Sequence, residues 1–434
     1  MPREWSIVLV MMFCASACNA LASPTPGATP TFPPKPLPTT TLTGEVPDRS
    51  STLTPTLVLT TTQTITLTVW TTEELSPNGV RGGRVLKSQI DALGRTRPQV
   101  RVEFILKKAS GTGGMLDFLV NTQAVAPQHL PDVIILDSRE LDAAAQTGLL
   151  QPLDGEFPAG VYADLFPTAQ KTARLDGAWV ALPLFIEAEH MVYNSTRLPR
   201  PPRTWSEVIS SSVPFLFPAE GDDGFVAQYL SLGGALSDAN ANPTLNADTM
   251  IQVLTFYRRA RDANVIPDTA LTLKTVDESW SIFIAGQVGF AQVAASQYLA
   301  ERERLTNVSY AALPTRDGQA MTLTRTWVMA VTATNPARRQ AALDLLQWLG
   351  TSTRLSEWAS AARKIPARRS AFATAIDSAE YAQFLRGLLD RGTNMPTATQ
   401  LARLAPAYRT AVQSVLRGQV TPVEAANRAV NSIK

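Results

Sequence analysis

The 434-residue chain has few of the residues that most often build metal centres and covalent catalytic sites. Its two cysteines, Cys14 and Cys18, both lie near the N-terminus, which excludes a disulfide scaffold or a cysteine-based zinc site in the folded part. Its two histidines, His129 and His190, leave little room for histidine-based metal or triad chemistry. We therefore expect no metal, no cofactor and no catalytic residues.

An excess of charge of either sign is also missing. Lysine and arginine total 39 and aspartate and glutamate 37, so the formal net charge is +2. This balance argues against a dedicated nucleic-acid binder, which usually carries a basic face. Because hydrophobic residues make up 45% of the chain and charged residues 18%, most of it can bury a core. The length suits two or three domains of roughly 150 residues each.

The N-terminus predicts export and a lipid anchor. Residues 1–17 have the pattern of a lipoprotein signal peptide, because Arg3 precedes an apolar stretch that is shorter than the roughly 20 residues needed to span a bilayer. Ala15–Cys18 resembles a bacterial lipobox, in which the cysteine receives the lipid. The alternative is a plain signal that is cleaved nearby. Residues 18–63 are rich in proline and threonine and predict either a semi-extended tether or a disordered tail.

The pattern after residue 63 predicts an α/β fold. Thr64–Trp70 alternates between polar and apolar residues, Val100–Leu106 reads as a second strand, and Asp132–Asp137 is an apolar run typical of a buried parallel strand. Stretches of helical length, 80–93 and 115–124, separate them. Strand, helix, strand, helix, strand indicates a sheet with right-handed crossovers.

Polar residues follow two of these strands. Glu73 and Glu74 come after the first strand, and Asp137, Ser138 and Arg139 come at the end of the third. Ligands of such sheets bind beyond the carboxyl ends of the strands, so these five residues are candidates for a binding site. Arg139 has the alternative of pairing locally.

Several segments together resemble the extracellular solute-binding proteins of ABC importers, in the family 1, maltose-binding-protein-like group. Each motif is weak alone, but their order and spacing hold over residues 64–434. The matching motifs are Pro131–Asp137, Leu149–Asp154, Gly177–Pro183, Tyr193–Asn194, Pro201–Trp205, Phe283–Phe290, Leu313–Thr315, Ile365–Arg368 and Thr421–Ala425.

The resemblance implies a two-lobed periplasmic-binding-protein fold that closes like a Venus flytrap, with a central sheet flanked by helices in each lobe. It implies three crossings between the lobes, near Leu184–Ala188, Thr324–Val328 and Ala375–Tyr381. Lobe 1 would comprise residues 64–186 plus 327–376, and lobe 2 residues 187–326 plus 377–434.

The resemblance also implies which residues bind the ligand. Glu187 follows Pro183 at the spacing of a sugar-contacting glutamate in the family, although it is alternatively a hinge carboxylate paired with an arginine. Glu73 and Glu74 fall where the family binds sugar hydroxyls. Trp327, at the second crossing, is either a stacking platform or part of the core.

Further candidates lie in the second half of the chain. Ser296, Gln297 and Tyr298 follow a predicted strand, and Asp223 lies in an acidic turn that is otherwise simply solvated. The sequence departs from the family by having Ser296 where a stacking tryptophan is expected, and Ala405 near the C-terminal stacking position. These losses put a long oligosaccharide ligand in doubt.

Two local patterns suggest a binding site but also have a simpler structural interpretation. Ser110–Gly114 resembles a phosphate cradle before a helix, but it lacks the lysine of a nucleotide loop, and a flexible loop is the simpler interpretation. Glu189 and His190 resemble part of a metal site, but a single histidine is more often structural.

The predicted function is a non-enzymatic, monomeric lipoprotein outside the cytoplasm, which captures a small solute, by preference a carbohydrate, and delivers it to an ABC permease. The alternatives are a non-sugar solute, such as a polyol phosphate, a peptide fragment or a polyamine, or a secreted glycoside-acting enzyme, which would need paired carboxylates.

Overall fold

The computed structural model describes residues 64–433. The predicted signal peptide, the lipidation site Cys18 and the tether lie outside the described residues. Within them the chain forms twelve strands and sixteen helices, numbered here in chain order.

Most of the strands belong to one sheet, and β4 and β5 form a separate hairpin. The strands are β1 (Ile65–Thr71), β2 (Val100–Leu106), β3 (Val133–Asp137), β4 (Arg174–Leu175), β5 (Ala178–Trp179), β6 (Leu182–Asn194), β7 (Phe215–Leu216), β8 (Phe290–Ala294), β9 (Val308–Ala311), β10 (Leu323–Val331), β11 (Ile365–Pro366) and β12 (Thr393–Asn394).

The helices flank this sheet. They are α1 (Gly83–Thr96), α2 (Met115–Val125), α3 (Leu141–Gln146), α4 (Ala159–Ala163), α5 (Pro167–Thr172), α6 (Trp205–Ser210), α7 (Asp223–Ser231), α8 (Ala247–Asp262), α9 (Val276–Ile284), α10 (Ala295–Glu301), α11 (Pro336–Leu349), α12 (Ser352–Ala362), α13 (Arg369–Ala375), α14 (Ala379–Leu389), α15 (Ala398–Leu416) and α16 (Pro422–Ile433).

Strand β6 connects two groups of strands. The sheet order is β2-β1-β3-β10-β6-β8-β7, with β9 and β11 also on β6 and β12 on β10. Residues Leu182–Ala188 of β6 pair with β10, and residues 189–193 pair with β8. This long strand is buried along most of its length. Because successive side chains of a strand point to opposite faces, both of its faces are covered by other parts of the protein.

The predicted alternation of strands and helices is confirmed. β1, β2 and β3 pair in parallel in the order 2-1-3, joined by α1 and α2 as right-handed crossovers require. The sequence also predicts a capped helix between Asn335 and Gly350, and α11 has that form. The Asn335 side chain accepts hydrogen bonds from the backbone N–H groups of Ala337 and Arg338, and Gly350 ends the helix.

Two boundaries differ from the expected ones. The helix predicted over residues 80–93 begins only at Gly83, because Gly82 has a left-handed φ of 79° that interrupts the helix. The sequence of Leu404–Ile433 also predicts two helices, and the first of them begins earlier, at Ala398, where Thr397 and Gln400 form a capping box. Pro406 lies inside that helix rather than ending it.

His190 of β6 is completely buried, in an aromatic cluster. Its Nε2 lies 2.8 Å from the hydroxyl of Tyr381, and the rings of Tyr298 and Phe384 pack edge-on against the imidazole. Burial lowers the pKa of His190 to about 4 from its usual 6.5. The imidazole is therefore neutral at neutral pH, which fits a structural histidine.

This burial predicts a pH-dependent stability. The unfolded chain takes up a proton on His190 below about pH 6.5 but the folded protein does so only near pH 4, so stability should fall as the pH drops through this window. The loss attributable to His190 should approach about 3 kcal/mol. Urea unfolding between pH 4 and 7.5 should show a shallower decline for His190→Phe than for the wild type, and equal declines would contradict this assignment.

Candidate ligand-binding site

A cavity of about 540 Å³ contains four of the predicted binding residues. It is enclosed by the turn after β1, the start of α10 and the end of α12. We call it the main cavity. Its lining residues are Glu73, Glu74, Val80, Arg81, Ser296, Gln297, Ala362 and Lys364.

Glu73 and Glu74 begin a short 3-10 turn directly after β1. The Glu74 carboxylate forms an ion pair with Lys364, with 3.1 Å between the oxygen and Nζ. Glu73 is exposed and makes no ion pair within residues 64–433. Its carboxylate is therefore available to accept hydrogen bonds from a ligand.

Ser296 and Gln297 lie in the first turn of α10, directly after β8. The backbone N–H of Ser296 donates to Glu187 Oε1 at 3.0 Å. The Gln297 amide donates to Asp277 Oδ1 at 2.7 Å. These two bonds orient the start of the helix toward the main cavity. Glu187 itself is not one of the lining residues and contacts the cavity only through Ser296.

Arg325 of β10 lies among four carboxylates behind this cavity. Burial works against its charge, but the carboxylates of Asp223, Asp137, Glu189 and Glu187 outweigh this effect and raise its pKa. The residue was missed from the sequence, although an arginine inside the apolar run of β10 was an available signal. The alternative prediction for Glu187, a hinge carboxylate paired with an arginine, stays a prediction: the Glu187 charge helps raise the pKa of Arg325, but within residues 64–433 the two side chains form no ion pair.

Two of these carboxyl groups have opposite protonation preferences. Glu189 is 2% exposed, and its burial together with the nearby Asp223 raises its pKa well above the usual range. Gln292 Nε2 donates a hydrogen bond to Glu189 Oε2 at 2.7 Å. Burial also opposes ionisation of Asp137, but Arg139 outweighs this and lowers its pKa. The surroundings of Glu189 therefore favour its protonated form, and those of Asp137 favour its charged form.

The three predicted residues at the end of β3, Asp137, Ser138 and Arg139, form hydrogen bonds within the protein. Arg139 makes two side-chain hydrogen bonds to Asp137, at 2.9 and 3.1 Å, which is the local pairing considered as its alternative. The Ser138 hydroxyl accepts from the backbone N–H of Thr326 at 3.0 Å. None of the three lines the main cavity.

The remaining candidates also lie outside the cavity wall. Tyr298 is 8% exposed and packs against the rings of Tyr310 and Tyr381, so its ring belongs to the core. Trp327 is partly buried against the core, opposite Asp137 in the β-ladder. Asp223 faces Glu189 and Arg325 rather than solvent.

The loop before α2 does not form a phosphate cradle. The carboxylate of Asp117, in the first turn of that helix, accepts from the backbone N–H of Gly113 at 2.9 Å. A negative charge of the protein itself thus occupies the place that a phosphate would take. Among residues 64–433 no group of three or more histidine, cysteine, aspartate or glutamate side chains is arranged to hold a metal ion.

The family model described as bacterial extracellular solute-binding protein matches residues 119–384, more than half of the chain. The chain belongs to this family. The predicted membership of an extracellular solute-binding family is therefore confirmed, and the family's members are substrate-binding proteins that act outside the cytoplasm.

Solved structures with the same fold cover about 85% of this solute-binding protein. The cyclic alpha-maltosyl-1,6-maltose binding protein from Arthrobacter globiformis is 20% identical, with a TM-score of 0.70 over 98% of its length. The sugar-binding protein MalE from Xanthomonas citri is 18% identical, with a TM-score of 0.71 over 97%. A solute-binding protein from Thermotoga lettingae bound with alpha-D-tagatose is 19% identical, with a TM-score of 0.66 over 98%. The predicted two-lobed α/β fold is confirmed.

The charge cluster behind the cavity predicts a large effect of removing its central cation. Arg325→Met would leave the carboxylates of Asp223 and Glu187 partly buried without a counter-charge, so it should lower the free energy of unfolding by about 3–5 kcal/mol at pH 7.5.

The matched control is Arg258→Met, which removes an exposed ion pair with Asp262 and should cost less than about 1 kcal/mol. Urea unfolding at pH 7.5 measures each variant. Equal losses for the two variants would contradict the central role of Arg325.

Proposed function

We propose that this protein is a lipid-anchored receptor that captures a small carbohydrate between two closing lobes and delivers it unchanged to an ABC permease. The observation that carries the proposal is the main cavity, whose wall joins Glu73 and Glu74 after β1 to Ser296 and Gln297 after β8. A ligand in this cavity contacts both groups of residues at once.

The proposed division into lobes is supported by the pairing of β6. Its residues up to Ala188 pair with β10, and those from Glu189 pair with β8. We therefore keep lobe 1 as residues 64–186 plus 327–376, and lobe 2 as 187–326 plus 377–434. In this division Glu73 and Lys364 belong to lobe 1, and Gln297 belongs to lobe 2.

Closure follows from the ligand's preference for the closed state. A ligand that bridges the lobes gains contacts only when they close, and it shifts the open-closed equilibrium by that difference in free energy. Reversing a 1:99 equilibrium requires roughly 5.5 kcal/mol. Charge-assisted hydrogen bonds from sugar hydroxyls to Glu73, together with bonds to Gln297, are a suitable source of this free energy.

A carbohydrate ligand is supported by what related proteins bind. Structures with this fold are described as binding cyclic alpha-maltosyl-1,6-maltose and alpha-D-tagatose. Among the described residues, those lining the main cavity include no aromatic side chain, which favours a short or polar solute over a long oligosaccharide. The charged lining keeps a polyol phosphate or a polyamine as the second candidate.

Anchoring through lipid on Cys18, with residues 18–63 as the tether, completes the proposal. None of the helices in residues 64–433 is sufficiently long and apolar to cross a bilayer. Acyl chains on one cysteine contribute about 0.8 kcal/mol per buried CH₂, which suits a receptor held at a membrane surface.

The proposal predicts compaction on binding without turnover. A panel of mono- and disaccharides should contain at least one that raises the Tm. With that ligand, small-angle scattering should show a smaller radius of gyration, and chromatography should recover the sugar intact. An unchanged scattering profile with every sugar would contradict closure, and a hydrolysed product would favour the enzyme alternative.

Glu73 should contribute to affinity but not to stability. Because its exposed carboxylate has no ion-pair partner within residues 64–433, Glu73→Ala should leave the Tm nearly unchanged. Loss of a hydrogen bond to a charged acceptor should weaken the best sugar by about 1.5–3 kcal/mol.

Glu103→Ala, at an exposed site of β2 that does not line the main cavity, is the control and should bind normally. Titration calorimetry measures both dissociation constants. A Glu73→Ala protein with the wild-type dissociation constant would remove Glu73 from the site.

A further inference from the structure

A second cavity, of about 550 Å³, adjoins the main cavity. The two share Glu73 and Glu74 as lining residues, so a solute in one lies next to the other. We call the second one the outer compartment. Its lining residues are Thr72, Glu73, Glu74, Leu106, Lys107, Lys108 and Ala109.

The two cavities together carry more positive than negative charge. Their lining includes the basic residues Arg81, Lys107, Lys108 and Lys364, but only Glu73 and Glu74 are acidic. Lys364 is paired with Glu74. Neither Lys107 nor Lys108 makes an ion pair within the part of the chain that the structure describes, and of the two glutamates that share the outer compartment with them, Glu74 is held by Lys364.

The ammonium group of Lys107 is held in place rather than free in solvent. Its Nζ lies 4.4 Å from the ring centroid of Trp70 and 3.7 Å from that of Phe118. Partial burial lowers its pKa. Aromatic faces attract a cation but do not neutralise it, so this ammonium retains the capacity to bind an anion.

Thr72 adds an independent sign of a missing partner. It is 6% exposed, it lines the outer compartment, and its buried Oγ1 has no hydrogen-bond partner among the described residues. Buried hydroxyls are seldom left unsatisfied, and each one calls for an explanation. A hydroxyl is also a good donor to an anionic oxygen.

We propose that the outer compartment binds an anionic substituent of the solute, a carboxylate or a phosphate, through Lys107, Lys108 and Thr72. This rests on the proposed function, because the sugar ring would occupy the main cavity and donate its hydroxyls to Glu73. Glu73 lines both cavities, and its negative charge would favour an anion placed beside the lysines rather than beside Glu73 itself. The solute is then an acidic sugar rather than a neutral one.

The test compares acidic sugars with their neutral parents. Glucuronate, galacturonate and glucose 6-phosphate are titrated beside glucose and galactose at low and high salt. At least one acidic sugar should bind tenfold or more tightly than its parent, and high salt should reduce this preference. The uronates and the phosphate separate the two sources of the anion.

Variants tie the preference to the outer compartment. Lys108→Gln changes an exposed site and should reduce binding of the acidic sugar. The double change Lys107→Gln with Lys108→Gln should reduce it by about tenfold. Neither change should affect binding of the neutral parent sugar. Thr72→Val, which keeps the shape of the side chain, should weaken the acidic sugar severalfold. Lys171→Gln, on the exposed surface of α5 and outside both cavities, is the control and should change nothing.

The outcomes separate this inference from the proposed function. Neutral sugars that bind as tightly as acidic ones, with no effect of the two lysine changes, would overturn the inference and leave a sugar receptor. If no sugar of either kind raises the Tm or binds in calorimetry, both the proposed function and this inference fail.

Discussion

Strand β6 pairs with β10 and β11 along its first half and with β8 and β9 along its second half. A strand that is continuous through two groups of partners holds both groups in one sheet. Glu187 and Glu189 lie on either side of this change of partners. The position of α10, and therefore of Ser296 in the main cavity, depends on this strand because Glu187 binds the N–H of Ser296.

The charges near the cleft fall into two sets with different tasks. Arg325 and the carboxylates around it are buried and compensate one another, so they act on the stability of the crossing strands more than on a ligand. Glu73, Lys107 and Lys108 make no ion pair within the described residues, and they line the outer compartment. Recognition of a polar solute requires charged groups that have no ion-pair partner within the protein. Water solvates such groups before the ligand binds, and the ligand can then replace that water with charge-assisted hydrogen bonds.

Much of the fold and part of the site could be predicted from local patterns. The alternation in Ile65–Thr71 and the cap at Asn335 depend on neighbours within a few residues, so both were read correctly. Glu73 and Ser296 were predicted because ligands bind beyond the ends of strands, and both line the main cavity. Arg325 and Lys364 were missed, since their roles depend on carboxylates far away in the chain. Tyr298 was expected at the site because it follows Gln297, but helical geometry turns its ring into the core.

The sequence by itself determined the α/β class, the positions of most strands and caps, and the family resemblance, because hydrophobic periodicity and capping act over short distances. Only the tertiary structure decided which charges are paired. The contacts Glu74 with Lys364 and Arg325 with its carboxylates join segments that are remote in sequence, and a charge becomes available to a ligand only when no such partner reaches it. For the same reason the outer compartment, which joins the ends of β1 and β2, became visible only in three dimensions.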